Sequence, residues 1–100
     1  GSPNAWVHYA ASKGALNTFT RGLALEVAGE GIRVNAVAPG LTDTENHAMY
    51  GKPDRVAEWQ DRLPLRRAAE PAEIASVVMW LLSDEAAYVT GSVYPIAGGA

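Results

Sequence analysis

A chain of 100 residues, 48% hydrophobic and 19% charged, has the ordinary composition of a soluble globular domain and no room for two cores. Its net charge of -3, from 8 basic and 11 acidic residues, lacks the clustered basic excess of a nucleic-acid footprint. The absence of cysteine excludes a disulfide framework, a thiol nucleophile and a thiolate metal site. The longest apolar stretch, Val77 to Leu82, is too short to span a bilayer and no basic-then-apolar leader is visible, so a cytoplasmic location is expected by default.

Ser2, Pro3 and Asn4 open the chain with residues of turns and helix caps. From about residue 5 to residue 28 the pattern turns helical. Tyr9, Lys13, Leu16, Thr20, Leu23 and Val27 recur at intervals of three and four, and Gly29 and Gly31 supply the stop. Tyr9 and Lys13 sit four apart in Y-A-A-S-K, which puts phenol and amine on one helical face. A tyrosine works as an acid or base near neutral pH only when its phenolate is stabilised, and a neighbouring ammonium lowers the pKa in that way. Taken alone, the spacing equally describes a surface aliphatic-aromatic pair.

Ile32 to Ala38 (I-R-V-N-A-V-A) is apolar at nearly every position and reads as a strand covered on both faces, closed by Pro39-Gly40. Residues 41 to 64 read as a long loop with one or two short helices, a length typical of lids and binding loops. Pro71 suits the first helical position and Glu73 the positive helix end, while Ile74, Val77, Val78, Leu81 and Leu82 form the apolar stripe of a helix ending near Ser83-Asp84. After a turn, Ser92 to Ile96 reads as a final strand, ended by Gly98-Gly99. Two strands joined through a helical crossover are expected to pair parallel and right-handed.

Several blocks, taken in order, resemble the C-terminal segment of a classical short-chain dehydrogenase/reductase of the Tyr-x-x-x-Lys type. They are Tyr9-Ala-Ala-Ser-Lys13 with Gly14-Ala15-Leu16, Ile32 through Gly40, Thr44, Arg67 through Ala75, Trp80 through Asp84, Tyr88 through Gly91, and Ala97-Gly-Gly99. The likeness covers essentially all 100 residues. It implies an α/β fold: the C-terminal part of a doubly wound, Rossmann-like parallel sheet, forming one partial domain over 1-100.

The resemblance also implies chemistry: interconversion of a small-molecule alcohol and carbonyl, such as a sugar or small polyol, with NAD or NADP as cofactor in the full-length parent. Tyr9 then matches the general acid/base, and Lys13 the residue that lowers the tyrosine pKa and bonds the nicotinamide ribose. Pro39-Gly40 matches the turn beside the nicotinamide, Thr42 the residue whose backbone meets the carboxamide, and Thr44 one whose hydroxyl contacts the cofactor. Such a place fits the rule that open α/β sheets bind ligands beyond the carboxyl ends of their strands. Pro39-Gly40 is also a plausible strand terminator, and Thr42 and Thr44 equally suit local turn hydrogen bonds.

The family's glycine-rich loop, the residue that sorts NAD from NADP and the catalytic serine have no counterpart here. Ser2 is too close to Tyr9 to serve, and Ser12 reads as helix packing or local active-site wall. Ala97 stands where many relatives carry Asp. The 100-residue chain alone is therefore expected to be inactive. Trp6, Met49, Tyr50 and Trp59 are too generic to identify a substrate. His8 and His47 lack paired ligand spacing, so no metal site is expected. A bared strand edge, the helix over 5-28 and the last helix and strand, with Trp80 off its helix's stripe, suggest a homo-oligomer. Neither nucleic acid nor membrane is an expected partner. The competing reading is a non-enzymatic, self-associating interaction module.

Overall fold

Helix-favouring alanines and leucines recur along the first described stretch, and it forms one continuous helix, α1, over Val7–Val27. The computed structural model describes residues 7–40, 42 and 60–99, with His8 and Tyr9 described in their backbone only. Trp6, Thr44, His47, Met49, Tyr50 and Trp59, with the rest of 43–59, lie outside the described residues. The described chain comprises two compact units, one joining the residues up to Ala36 with Ala87–Tyr94, the other joining Val37–Ala86 with the residues from Pro95 on.

In the first unit, α1 buries Thr20 and Ala24, with Lys13, Leu23 and Val27 half-buried on the same side. The Thr20 hydroxyl donates to the Leu16 carbonyl at 2.8 Å, which satisfies a polar group that would otherwise be costly to bury. Leu16 does not follow the expected stripe: it is 52% exposed. Its helical angle lies between those of Leu23 and Val27, so the difference is one of cover along the helix. The 87–94 segment meets α1 at Ala24, whose Cβ lies 3.5 Å from where a Cβ on Gly91 would stand. α1 passes into a 3-10 turn over Ala28–Glu30, and Gly31, at φ +78°, closes it by donating its N–H to the Ala28 carbonyl.

The first strand is shorter than the expected Ile32 to Ala38. β1 covers Ala36–Pro39, and its side chains are half-buried or exposed rather than covered on both faces. The Val34 carbonyl still accepts the Gly91 N–H at 2.7 Å, but residues 34 and 35 fall out of the regular ladder because side chains partner two backbone N–H groups there. The Val34 N–H donates to Thr90 Oγ1 at 3.1 Å, and the Asn35 carboxamide accepts from the Ser92 N–H at 3.1 Å. β2 covers Val93–Ile96 and pairs with β1. Ala36 N–H donates to Ser92 O at 3.0 Å and Gly40 N–H to Ile96 O at 2.9 Å, so both partners advance together and the pair is parallel. Residues 92 and 96 bond toward β1, so Pro95 sits at the phase that faces the other edge, where its missing N–H blunts further pairing.

In the second unit, α2 spans Pro71–Leu82. It begins as its sequence demands, with Pro71 in the first turn and a capping box in which Glu70 and Glu73 satisfy each other's backbone N–H groups. Leu81 and the following Ala86 are buried, but Leu82, expected in the stripe, is 73% exposed. Leu82 lies at the edge of the stripe, and the cover from the described residues reaches only Leu81. Ser83 ends α2 by donating its N–H and its hydroxyl to the Trp80 carbonyl, at 3.0 and 2.6 Å. Among the described residues, no helix is long and apolar enough to cross a membrane.

Candidate active site

The first unit carries positions 9 and 13. They lie in the first two turns of α1, whose backbone is helical from Val7 onward, so the four-residue spacing sets them on one face. The Tyr9 side chain lies outside the described residues. Lys13 is half-buried.

The second unit carries the expected cofactor turn. Pro39 and Gly40 are exposed at the carboxyl end of β1. Gly40 is glycine for a packing reason: a Cβ there would lie 2.9 Å from both Cα and Cβ of Ala97. The Thr42 hydroxyl donates to the Gly40 carbonyl at 3.2 Å, the local turn bond that was one of its two readings. Thr42 also forms a parallel bridge with Ala69, which extends the pairing beyond β1. Thr44 lies outside the described residues.

Beside this turn is a hollow of about 90 Å³, lined by Leu63, Leu65, Ala69, Ile96, Ala97 and Gly98 together with Arg67 and Glu73. The Leu65 N–H donates to the Gly98 carbonyl at 3.1 Å, and Gly98 and Gly99 take φ values of +62° and +93° to wrap Leu65 and Pro64. Arg67 grips Glu73 with both terminal nitrogens, at 2.6 and 2.9 Å. Chiefly through that hydrogen bond, then through the Glu70 N–H, the Glu73 carboxyl is held down to about 2. The same bond raises the Arg67 guanidinium above its usual value. Sequence reasoning identified Glu73 as a helix-start residue and missed its pairing with Arg67. The signal was present in Glu70-Pro-x-Glu73, the spacing of a capping box, but the six-residue reach to Arg67 crosses the helix boundary.

The profile of the enoyl-(acyl carrier protein) reductase family matches residues 1–100. The chain is 54% identical to the oxidoreductase YgfF of Escherichia coli (strain K12) over 99 residues, 99% of this chain and 40% of that protein. It is 47% identical to galactitol 2-dehydrogenase (L-tagatose-forming) of Cereibacter sphaeroides over 92 residues, 91% of this chain and 36% of that protein. Among solved structures, a 3-oxoacyl-[acyl-carrier protein] reductase from Brucella melitensis with bound NAD superposes at a TM-score of 0.78, with 42% identity, covering 93% of this chain and 33% of that one. The chain thus spans about two fifths or less of the length of these relatives. With its entire length matched and its parallel α/β pairing shared with solved members, the chain belongs to the short-chain dehydrogenase/reductase family.

Proposed function

We propose that the protein carrying this segment is an NAD(P)-dependent oxidoreductase that interconverts a small-molecule alcohol and its carbonyl in the cytoplasm, and that these 100 residues form one partial domain of it. The observation that carries the reading is the unbroken helix from Val7, which sets positions 9 and 13 one turn apart in a chain of this family. The turn at the end of β1 suits the cofactor as well, because Pro39 and Gly40 present exposed backbone at the carboxyl end of a parallel strand.

When bound, the nicotinamide supplies or accepts the hydride. The Tyr9 phenol gives its proton to the carbonyl oxygen during reduction and takes it back from the hydroxyl during oxidation. The Lys13 ammonium stabilises the phenolate that remains and so brings the phenol's pKa toward the working pH. Pro39, Gly40 and the backbone of Thr42 would hold the nicotinamide end of the cofactor, and Thr44 would supply a further hydroxyl to it. The 100-residue chain by itself does not turn over substrate, since it holds no counterpart of the phosphate-cradling loop or the catalytic serine.

Self-association belongs to the same proposal. Leu16, Phe19 and Leu25 on α1, and Met79 and Trp80 on α2, are all at least 40% exposed in this segment, apolar surface that the rest of the full-length protein or a second copy would cover. A homo-oligomer built through these helices covers it. The same exposure favours the second reading, a non-enzymatic self-associating module.

Nicotinamide fluorescence and turnover of the full-length protein test the proposal. Tyr9→Phe lowers turnover by about 10²–10⁴-fold while cofactor binding persists, because only the ionisable hydroxyl is lost. Lys13→Ala weakens binding and turnover together. A Tyr9→Phe enzyme of near wild-type rate removes Tyr9 from the mechanism. A full-length protein that associates but never binds the cofactor selects the module.

A further inference from the structure

The charged cluster at the start of α2 is more elaborate than its exposure warrants. Arg67 and Glu73 side chains are 54% and 44% exposed, and ion pairs in that setting contribute little to stability. Yet four groups converge there. Glu73 binds Arg67 through both oxygens and also accepts the Glu70 N–H at 3.0 Å, while Arg67 Nη1 donates to the neighbouring Ala68 carbonyl at 3.3 Å. A bidentate fork of this kind fixes direction as well as distance.

What it fixes is the backbone from Arg67 to Glu70. Ala68 in this stretch is buried, and Ala69 makes the parallel bridge to Thr42. Thr42 in turn bonds the Gly40 carbonyl, and Gly40 bonds Ile96. Arg67, Glu73, Ala69, Ile96 and Ala97 line one hollow, and Ile96 and Ala97 are also the residues that meet Gly40.

We propose that Arg67 and Glu73 are positioning residues for Pro39, Gly40 and Thr42: the pair holds Ala69 in register with Thr42 and thereby sets these residues for the cofactor. The proposal rests on the functional reading above. It predicts an effect on cofactor affinity out of proportion to the effect on stability, since small misplacements of a binding group are amplified in function.

The test uses the full-length protein. Arg67→Ala and Glu73→Gln each weaken NAD(P)H binding about tenfold, equivalent to about 1.4 kcal/mol, while kcat changes much less. Arg67→Lys, which keeps the charge and loses the fork, falls between. In the cofactor-free protein, amide exchange across Thr42 and Ala69 speeds up in the same order. Leu81→Val, a buried change in α2 that does not line the hollow, lowers stability and leaves cofactor affinity unchanged. Unchanged affinity or unchanged exchange in Arg67→Ala overturns the proposal, as does a Leu81→Val protein that loses affinity equally. Should Arg67→Ala fail to fold, Arg67→Lys decides by the same two readings. A wild-type protein that binds no nicotinamide cofactor overturns the functional reading itself, whereas the exchange data still judge whether the pair holds the turn.

Discussion

Gly40 and Ala97 approach so closely that a methyl group on Gly40 would stand 2.9 Å from both the Cα and the Cβ of Ala97. Both atoms belong to a strand end held by the Gly40 N–H to Ile96 carbonyl bond, so neither side can retreat cheaply. Gly40→Ala is expected to destabilise by about 1–3 kcal/mol, the usual cost of overpacking. Adding Ala97→Gly removes one of the two clashing atoms and recovers part of the loss, a coupling that a double-mutant cycle in denaturant reads directly. Additive effects would show that the crowding is relieved elsewhere.

The glycine at 40 was legible in the sequence as a strand terminator or a cofactor turn, but its contact with Ala97 was not, because the two lie far apart in the chain. The same contrast runs through the fold. The ends of both helices could be read locally: Gly31 stops α1, while Pro71 and Glu73 start α2. The helical backbone that carries positions 9 and 13 was likewise local, a matter of sequence periodicity. The beginning of β1 could not be read, because Val34 and Asn35 are taken out of the ladder by Val89, Thr90 and Ser92, 54 to 57 residues away. Leu16 and Leu82 have the right periodicity and remain exposed, since a stripe states which face is apolar and not how far its cover extends.

Glu73 gives the second unit an acid-sensitive joint. Its pKa falls from 4.5 to about 2 on folding, so the folded state favours the ionised form. Stability from this group is fully present above about 4.5 and is lost as pH falls toward about 2. The pair is half-exposed, so the effect is modest and shrinks with added salt. Denaturant midpoints should decline through that window for the wild-type chain and less steeply for Glu73→Gln. Parallel declines would remove Glu73 as the source.

Arg66 is the one non-glycine residue with positive φ among those described, at 58°. That conformation costs an ordinary side chain roughly 1–2 kcal/mol. Glycine adopts it freely but loses about 0.5–1 kcal/mol of extra freedom on folding. Arg66→Gly is therefore expected to raise stability by up to about 1 kcal/mol, whereas Arg66→Val, β-branched and stiffer, lowers it. Differential scanning calorimetry of the three proteins checks the order glycine, arginine, valine. Any other order means that the Arg66 side chain contributes contacts that outweigh its backbone.

Asn35 does the work of a ladder at the point where β1 has none. Its Nδ2 donates to the Val89 carbonyl at 3.0 Å, and its Oδ1 accepts the Ser92 N–H at 3.1 Å. Asn35→Ala leaves the Ser92 N–H without that partner, while the Val89 carbonyl still receives Arg33 Nη1 at 3.2 Å. Loss of one partly buried donor's partner costs about 1–3 kcal/mol. Asn35→Asp separates the two bonds. The carboxylate can still accept from Ser92 but cannot donate to Val89, and it sets a charge against a carbonyl oxygen. That variant should be weakened at neutral pH and recover partly on acidification, when the protonated acid regains a donor. Asn35→Ala has no such pH response. Identical pH behaviour of the two variants would show that the amide's donor to Val89 contributes nothing.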